Sequence, residues 1–171
     1  MTSHQTSKPL HNPWCSCPDV RRSHHAKHCN RSPKTNIDMT PKIRKPEAIA
    51  IANRGGAMQL RTNTTAFANV NSSQEVWWFD IPLAKVVAER YDAIDLLVVT
   101  SDVRLLHHLR VPVAWLRENL SNFHVRIDKQ AVSLELSSRE VNLFQDTRSG
   151  SKKIQFVRFL VNSVALGIRV P

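Results

Sequence analysis

Residues 94–100 read Ile-Asp-Leu-Leu-Val-Val-Thr, an apolar run broken by one aspartate that is typical of a largely buried strand. Ser101 and Asp102 follow as a turn, and residues 105–111 return as a second strand, so this stretch predicts an antiparallel hairpin. Because side chains alternate along a strand, the return strand places His107 on one face of the sheet and His108 on the other.

Strand and helix patterns continue on both sides of this hairpin. The sequence predicts further strands at 76–81, 123–128 and 132–137, a short helix or irregular connection at 83–91, and a helix at 113–122. Residues 154–164 fit either a closing helix or a buried strand, and their apolar spacing favours the helix. We therefore expect an α+β fold, with a largely antiparallel sheet of about five strands and about two or three helices on one face.

The first 74 residues differ in composition from the rest. They contain 11 Lys and Arg against 3 Asp and Glu, whereas residues 75–171 contain 13 against 11. Prolines recur through this segment and interrupt any helical period, so we expect a basic, mostly disordered leader over 1–74, a compact domain over 75–165 and a tail over 166–171. Within the leader, 47–53 could form a short helix or strand. Met39 and Met58 are alternative start sites, so part of the leader could be untranslated.

Six candidate metal-binding side chains cluster in the leader: Cys15, Cys17, His24, His25, His28 and Cys29. A structural zinc site uses four thiolate or imidazole ligands, usually with about two to four residues between the first two cysteines. Here a single residue separates Cys15 from Cys17. Zinc is therefore the one candidate cofactor, with Cys15, Cys17, His25, His28 and Cys29 as its ligands, but the spacing favours a solvated, histidine-rich tail without a cofactor.

The formal net charge of +10 makes nucleic acid the leading candidate partner, because a basic segment gains affinity by releasing counterions from phosphates. The candidate contacts are Arg21, Arg22, Lys42, Arg44 and Lys45. No apolar run approaches the roughly 20 residues of a membrane span, and the start of the chain has no apolar signal segment. We expect a cytoplasmic protein without a membrane partner.

Catalytic candidates are few in this sequence. A nuclease of the common restriction-enzyme type would place an acidic residue two positions before a lysine, and no lysine here has one. Asp80 and Asp95 are expected in neighbouring strands and could hold a metal with His107 or His108, although aspartate also commonly ends strands and begins turns. The two histidines point to opposite faces and cannot both serve one site.

Two stretches, Trp78-Phe79-Asp80-Ile81-Pro82 and residues 108–116, resemble segments of short bacterial hypothetical proteins that have no assigned activity. The resemblance covers about residues 75–160 and implies no site residues. We expect a noncatalytic binding or accessory module that contacts nucleic acid nonspecifically through its leader. The alternative is a small metal-dependent hydrolase or a degenerate nuclease-like domain.

Overall fold

The computed structural model describes residues 42–55, 58–102, 104–148 and 153–167, all within one compact unit, Asp38–Pro171. These residues contain three α-helices: α1 Lys45–Gly55, α2 Leu83–Val87 and α3 Val113–Glu118. They also contain seven strands: β1 Thr65–Asn71, β2 Val76–Pro82, β3 Ala93–Val99, β4 Leu105–Pro112, β5 His124–Arg126, β6 Ala131–Ser137 and β7 Leu160–Ala165. Short 3-10 turns lie at Leu120–Asn122, Glu140–Asn142 and Val157–Phe159.

The strands form one mixed sheet in the order β5-β6-β2-β1-β3-β4-β7. The central neighbours β1 and β3 are parallel, and all other neighbours are antiparallel. The α+β class is confirmed, as are the β3–β4 and β5–β6 hairpins. The expected number of strands and the largely antiparallel arrangement are wrong, because β1 and β7 were not predicted as strands and β1 adds a parallel pair at the centre.

Residues 42–74 belong to the fold, so the predicted domain boundary at residue 75 is too late. It falls inside the β1–β2 hairpin, where Val70 pairs with Trp77. The segment contributes buried residues to an apolar cluster of Ile43, Ala48, Ile49, Ala52, Leu60, Leu97, Val99 and Leu106. The predicted disorder of the leader stays a prediction for residues 1–41, which lie outside the described residues.

Helices pack on both faces of the sheet. Every residue of the interior strand β3 is buried, and its alternate side chains pack in two different clusters. Leu97 and Val99 pack with α1. Leu96 and Val98 pack in the larger cluster, which includes residues of α2 and α3. The expectation that all helices lie on one face is wrong, because α1 comes from the segment assigned to the leader.

The helix favoured for 154–164 is wrong, and the alternative of a strand is confirmed for Leu160–Ala165, although this strand is not buried. After a 3-10 turn the chain forms β7, an outer strand that pairs with β4. The residues that suggested a helical apolar face are not buried: Val157 is 51% exposed and Val161 is 49% exposed. Apolar residues at helical spacing stabilise a helix only when another surface packs against them. The chain instead pairs with the edge of β4, whose backbone N–H and C=O groups would otherwise lack partners.

Proline marks both junctions at which a strand leads directly into a helix. Pro82 ends β2 before α2, and Pro112 ends β4 before α3. Proline has no N–H for the sheet ladder but fits the start of a helix, so the residue type favours this transition. Among the described residues, no helix is long and apolar enough to cross a lipid bilayer.

Candidate anion-binding surface

The turn at residues 61–64, just before β1, lies at the centre of the candidate site. The carbonyl oxygen of Arg61 accepts hydrogen bonds from the N–H of Thr64 at 3.1 Å and of Thr65 at 3.0 Å, and from the Thr65 hydroxyl at 2.8 Å. The side chain of Asn53 in α1 accepts the N–H of Leu60 at 2.7 Å. These bonds hold the turn against both the helix and the sheet.

Two lysines from different helices converge on this turn. Lys45 of α1 donates from Nζ to the carbonyl oxygen of Thr62 at 2.9 Å, and Lys85 of α2 donates to the carbonyl oxygen of the next residue, Asn63. Partial burial, together with the nearby charge of Lys85, lowers the pKa of Lys45. Neither lysine forms an ion pair with a carboxylate of the described residues.

An open cleft of about 400 Å3 lies on the other side of the same turn. Three arginines line it, Arg61, Arg90 and Arg110, together with Tyr91 and Asp92. The guanidinium of Arg90 lies over the Tyr91 ring, 5.5 Å from its centroid. Such stacking leaves the edges of the guanidinium free to donate hydrogen bonds to another group.

Asp95, one of the predicted catalytic candidates, lines the floor of this cleft, and it contacts His108, another candidate, beneath it. His108 Nε2 lies 2.9 Å from Asp95 Oδ1. Arg110, which is paired with Asp95 across the β3–β4 ladder, donates to the two carboxylate oxygens at 3.1 and 3.4 Å. The side chains of Asp95 and His108 are 4% and 6% exposed, so this network neutralises a buried carboxylate beneath the cleft.

We define the basic surface as the cationic side chains around turn 61–64: Lys45, Arg61, Lys85, Arg90 and Arg110. Within the described part of the chain, Arg110 is the only one of the five with an ion pair. Asp92 is the one exposed acidic residue in the arginine cleft. The surface therefore has unneutralised positive charge, which suits an anionic ligand.

The other predicted catalytic residues lie elsewhere. Asp80 is in β2, and because β1 lies between β2 and β3, the expectation that Asp80 and Asp95 stand in neighbouring strands is wrong. The Asp80 carboxylate is 2.9 Å from Lys129 Nζ and 3.5 Å from Arg126 Nη1. Burial alone would raise the pKa of Asp80, but hydrogen bonds from Lys129 and Ser133 and the charges of Lys129 and Arg126 together outweigh it and lower the pKa.

His107 points to the opposite face of the sheet from His108, as predicted. Its Nδ1 lies 2.7 Å from Ser163 Oγ, and its ring packs edge-on against Phe144 at a centroid distance of 5.3 Å. Burial lowers the pKa of His107, so the neutral ring is favoured. This environment is that of a hydrogen-bonded core histidine.

The metal and leader predictions lie largely outside the described residues. Among the residues that the structure describes, no three His, Cys, Asp or Glu side chains are close enough together to hold a metal ion. The predicted zinc ligands Cys15, Cys17, His25, His28 and Cys29, and the predicted contacts Arg21 and Arg22, are not described. Lys42 and Arg44 are exposed immediately before α1, next to Lys45.

Sequence reasoning missed Arg61, Lys85 and Arg90. The turn-forming run Thr62-Asn63-Thr64 is the local signal that could have marked the turn, but nothing local shows that two helices approach it. Comparisons with protein families, with curated proteins and with solved structures find no match.

Proposed function

We propose that this protein is a noncatalytic binding module that binds the phosphate backbone of nucleic acid through its basic surface. The convergence of Lys45 and Lys85 on consecutive carbonyl groups of turn 61–64 carries the proposal. Two like charges held together raise each other's energy, and an anion between them relieves that cost. The arginine cleft on the other side of the turn continues the same positive surface.

Phosphate is the anion that this geometry favours. Arginine edges bind phosphate oxygens in pairs, and lysine supplies point charges that tolerate several phosphate positions. A surface made of both types, without a closed pocket, suits a repeating backbone better than a single small anion. Backbone contacts of this kind carry no sequence information, so the binding is nonspecific.

The alternative, a metal-dependent hydrolase or a degenerate nuclease-like domain, rests on the meeting of Asp95 with His108. In that reading the two side chains would be the acid-base pair. Their ring and carboxylate are buried and bonded to each other, and Arg110 neutralises the carboxylate. This arrangement supports a structural role better than a catalytic one, so we place the binding module first.

The test is a fluorescence anisotropy titration of the full chain with labelled single- and double-stranded DNA and RNA of about 20 nucleotides, at about 50 to 300 mM salt. The test variant is Lys45→Gln with Lys85→Gln, because glutamine keeps an N–H donor for the turn carbonyls. The control is Arg104→Gln with Arg139→Gln, which removes the same number of positive charges, each ion-paired with a carboxylate, beyond the other ends of the strands. A cleavage readout in Mg²⁺ on the same samples tests the hydrolase alternative.

We expect the lysine variant to bind more weakly and to lose about 0.7 from the slope of log affinity against log salt for single strands, since the two lysines hold one phosphate between them and each phosphate contact contributes about 0.7. The control should retain the wild-type slope. Absence of binding by the wild type, or equal effects of the two variants, would overturn the proposal.

The leader remains a proposed second contact. Arg21→Ser with Arg22→Ser should weaken binding in addition to the surface variants, because residues 1–41 precede Lys42 and Arg44, which lie next to Lys45 of the basic surface. We further propose that the protein acts in a bacterial cytoplasm. This rests on the resemblance of its sequence to short bacterial proteins and on its three clustered cysteines, an odd number that does not suit the disulfide framework of a secreted protein.

A further inference from the structure

The central sheet contains a split between β1 and β2. The two strands pair only at their hairpin end, through Val70 with Trp77 and Asn71 with Val76. Away from the hairpin, each strand pairs only with its other neighbour. Residues 65–69 of β1 pair with β3, and residues 78–82 of β2 pair with β6. The two edges therefore face each other across a cleft of about 330 Å3.

The chemistry of this cleft changes along its length. Lys45 and Lys85 line the mouth, beside the turn that precedes β1. Trp78 lines the closed end, one residue after the last ladder pair with β1. Asp80 lies between them, and its carboxylate accepts hydrogen bonds. Asp80 is ion-paired with Lys129 and Arg126, whereas the two lysines at the mouth have no carboxylate partner among the described residues, so an anion fits best at the mouth.

Trp78 is held in place but remains accessible. Its Nε1 donates to Ser133 Oγ at 3.0 Å, and the guanidinium of Arg148 lies 4.8 Å from the centre of its ring. The side chain is still 39% exposed, although its neighbours Trp77 and Phe79 are 1% and 3% exposed. Because Arg148 covers one face of the ring, an unpaired base would stack on the other face, as bases do on fixed, accessible indoles.

We propose that the split binds one nucleotide unit of a single-stranded nucleic acid, with its phosphate between Lys45 and Lys85 and its base against Trp78. The Asp80 carboxylate, which already accepts a hydrogen bond from Lys129 at Oδ2, then accepts a further one from an N–H on the edge of the base, as acidic side chains do with exocyclic amines. This inference rests on the proposed function and refines it, because a paired base in a duplex cannot enter the split. Binding should therefore favour single strands.

The experiment compares the full-length wild type, Trp78→Leu and Trp78→Phe in anisotropy titrations with a labelled single strand and its duplex. Trp78→Leu should weaken single-strand binding about tenfold, since loss of one stacking contact costs on this order. Trp78→Phe should retain most of the affinity, and neither variant should change duplex binding or the salt slope. Thermal melting of each variant confirms that it is folded.

A second measurement does not depend on the leucine variant. Saturating single strand should quench tryptophan emission in the wild type, and part of this quenching should be lost in Trp78→Phe, because the other tryptophans are unchanged. If Trp78→Phe is quenched as strongly as the wild type, or if folded Trp78→Leu binds single strands with wild-type affinity, no base stacks on Trp78. Either result would overturn this inference and leave the proposed basic surface untouched. If the wild type shows no salt-dependent binding to either the single strand or the duplex, the proposed function itself would be overturned.

Discussion

Replacing Ile49 by alanine tests whether α1 is part of the folded domain. Ile49 is 8% exposed and packs in the cluster that joins α1 to β3 and β4. The substitution removes three carbons, and at about 0.8 kcal/mol for each buried methylene the lost burial amounts to about 2 kcal/mol. The residual cavity raises the expected loss in the free energy of unfolding to about 3 kcal/mol.

The assay is urea denaturation of the full chain, followed by tryptophan fluorescence and circular dichroism. The matched control is Ile127→Ala, the same change at a residue that is 80% exposed, which should cost no more than about 0.5 kcal/mol. If Ile49→Ala and Ile127→Ala are equally stable, α1 does not pack on the sheet and the boundary correction is refuted. A start at Met58 would remove the whole helix and should leave a chain that unfolds at much lower urea concentration.

Three further predictions concern the core and the buried network. Trp77→Phe should lower the free energy of unfolding by about 2 kcal/mol in urea denaturation, because it removes a buried indole that donates a 2.7 Å hydrogen bond to a β3 carbonyl. Burial lowers the pKa of His107, so as pH falls its ring takes up a proton in the unfolded chain before it does so in the folded chain. The free energy of unfolding should therefore decline as pH falls below about 6.5, and His107→Gln should reduce this decline in thermal melts across pH 5 to 8. Arg110→Gln should lower the free energy of unfolding by about 2 kcal/mol, which is less than for a fully buried ion pair because Arg110 is 38% exposed. Adding Asp95→Asn should recover part of this loss, because it removes the carboxylate left without its cation. A melt in which Asp95→Asn recovers nothing would contradict the neutralising role of Arg110.

The sequence predicts the elements whose own residues carry a strong pattern. The run in β3 is apolar enough to be recognised as a buried strand without its neighbours, and the alternation in β4 correctly placed His107 and His108 on opposite faces. Strands β1 and β7 contain small or polar residues such as Ala66, Asn69 and Asn162. Their conformation depends on the strands beside them, which local propensity does not describe.

The candidate site was predicted only in part, for a similar reason. Lys45 was expected to contact nucleic acid, and Asp95 and His108 were recognised as a possible pair. Lys85 meets Lys45 only because α1 and α2 approach one turn from different directions. The split between β1 and β2 depends on the order of strands in the sheet, which the sequence-based prediction of a largely antiparallel sheet did not contain.

The most direct test of the basic surface is the salt dependence of single-strand binding by a variant of the full chain in which Lys45, Arg61, Lys85 and Arg90 are all replaced by glutamine. With the leader intact, the slope of log affinity against log salt should fall by about 2 relative to the wild type, because three phosphate contacts of about 0.7 each are lost, one shared by Lys45 and Lys85 and one each at Arg61 and Arg90. A folded variant that keeps the wild-type slope would show that these side chains contact no phosphate, and would contradict the account.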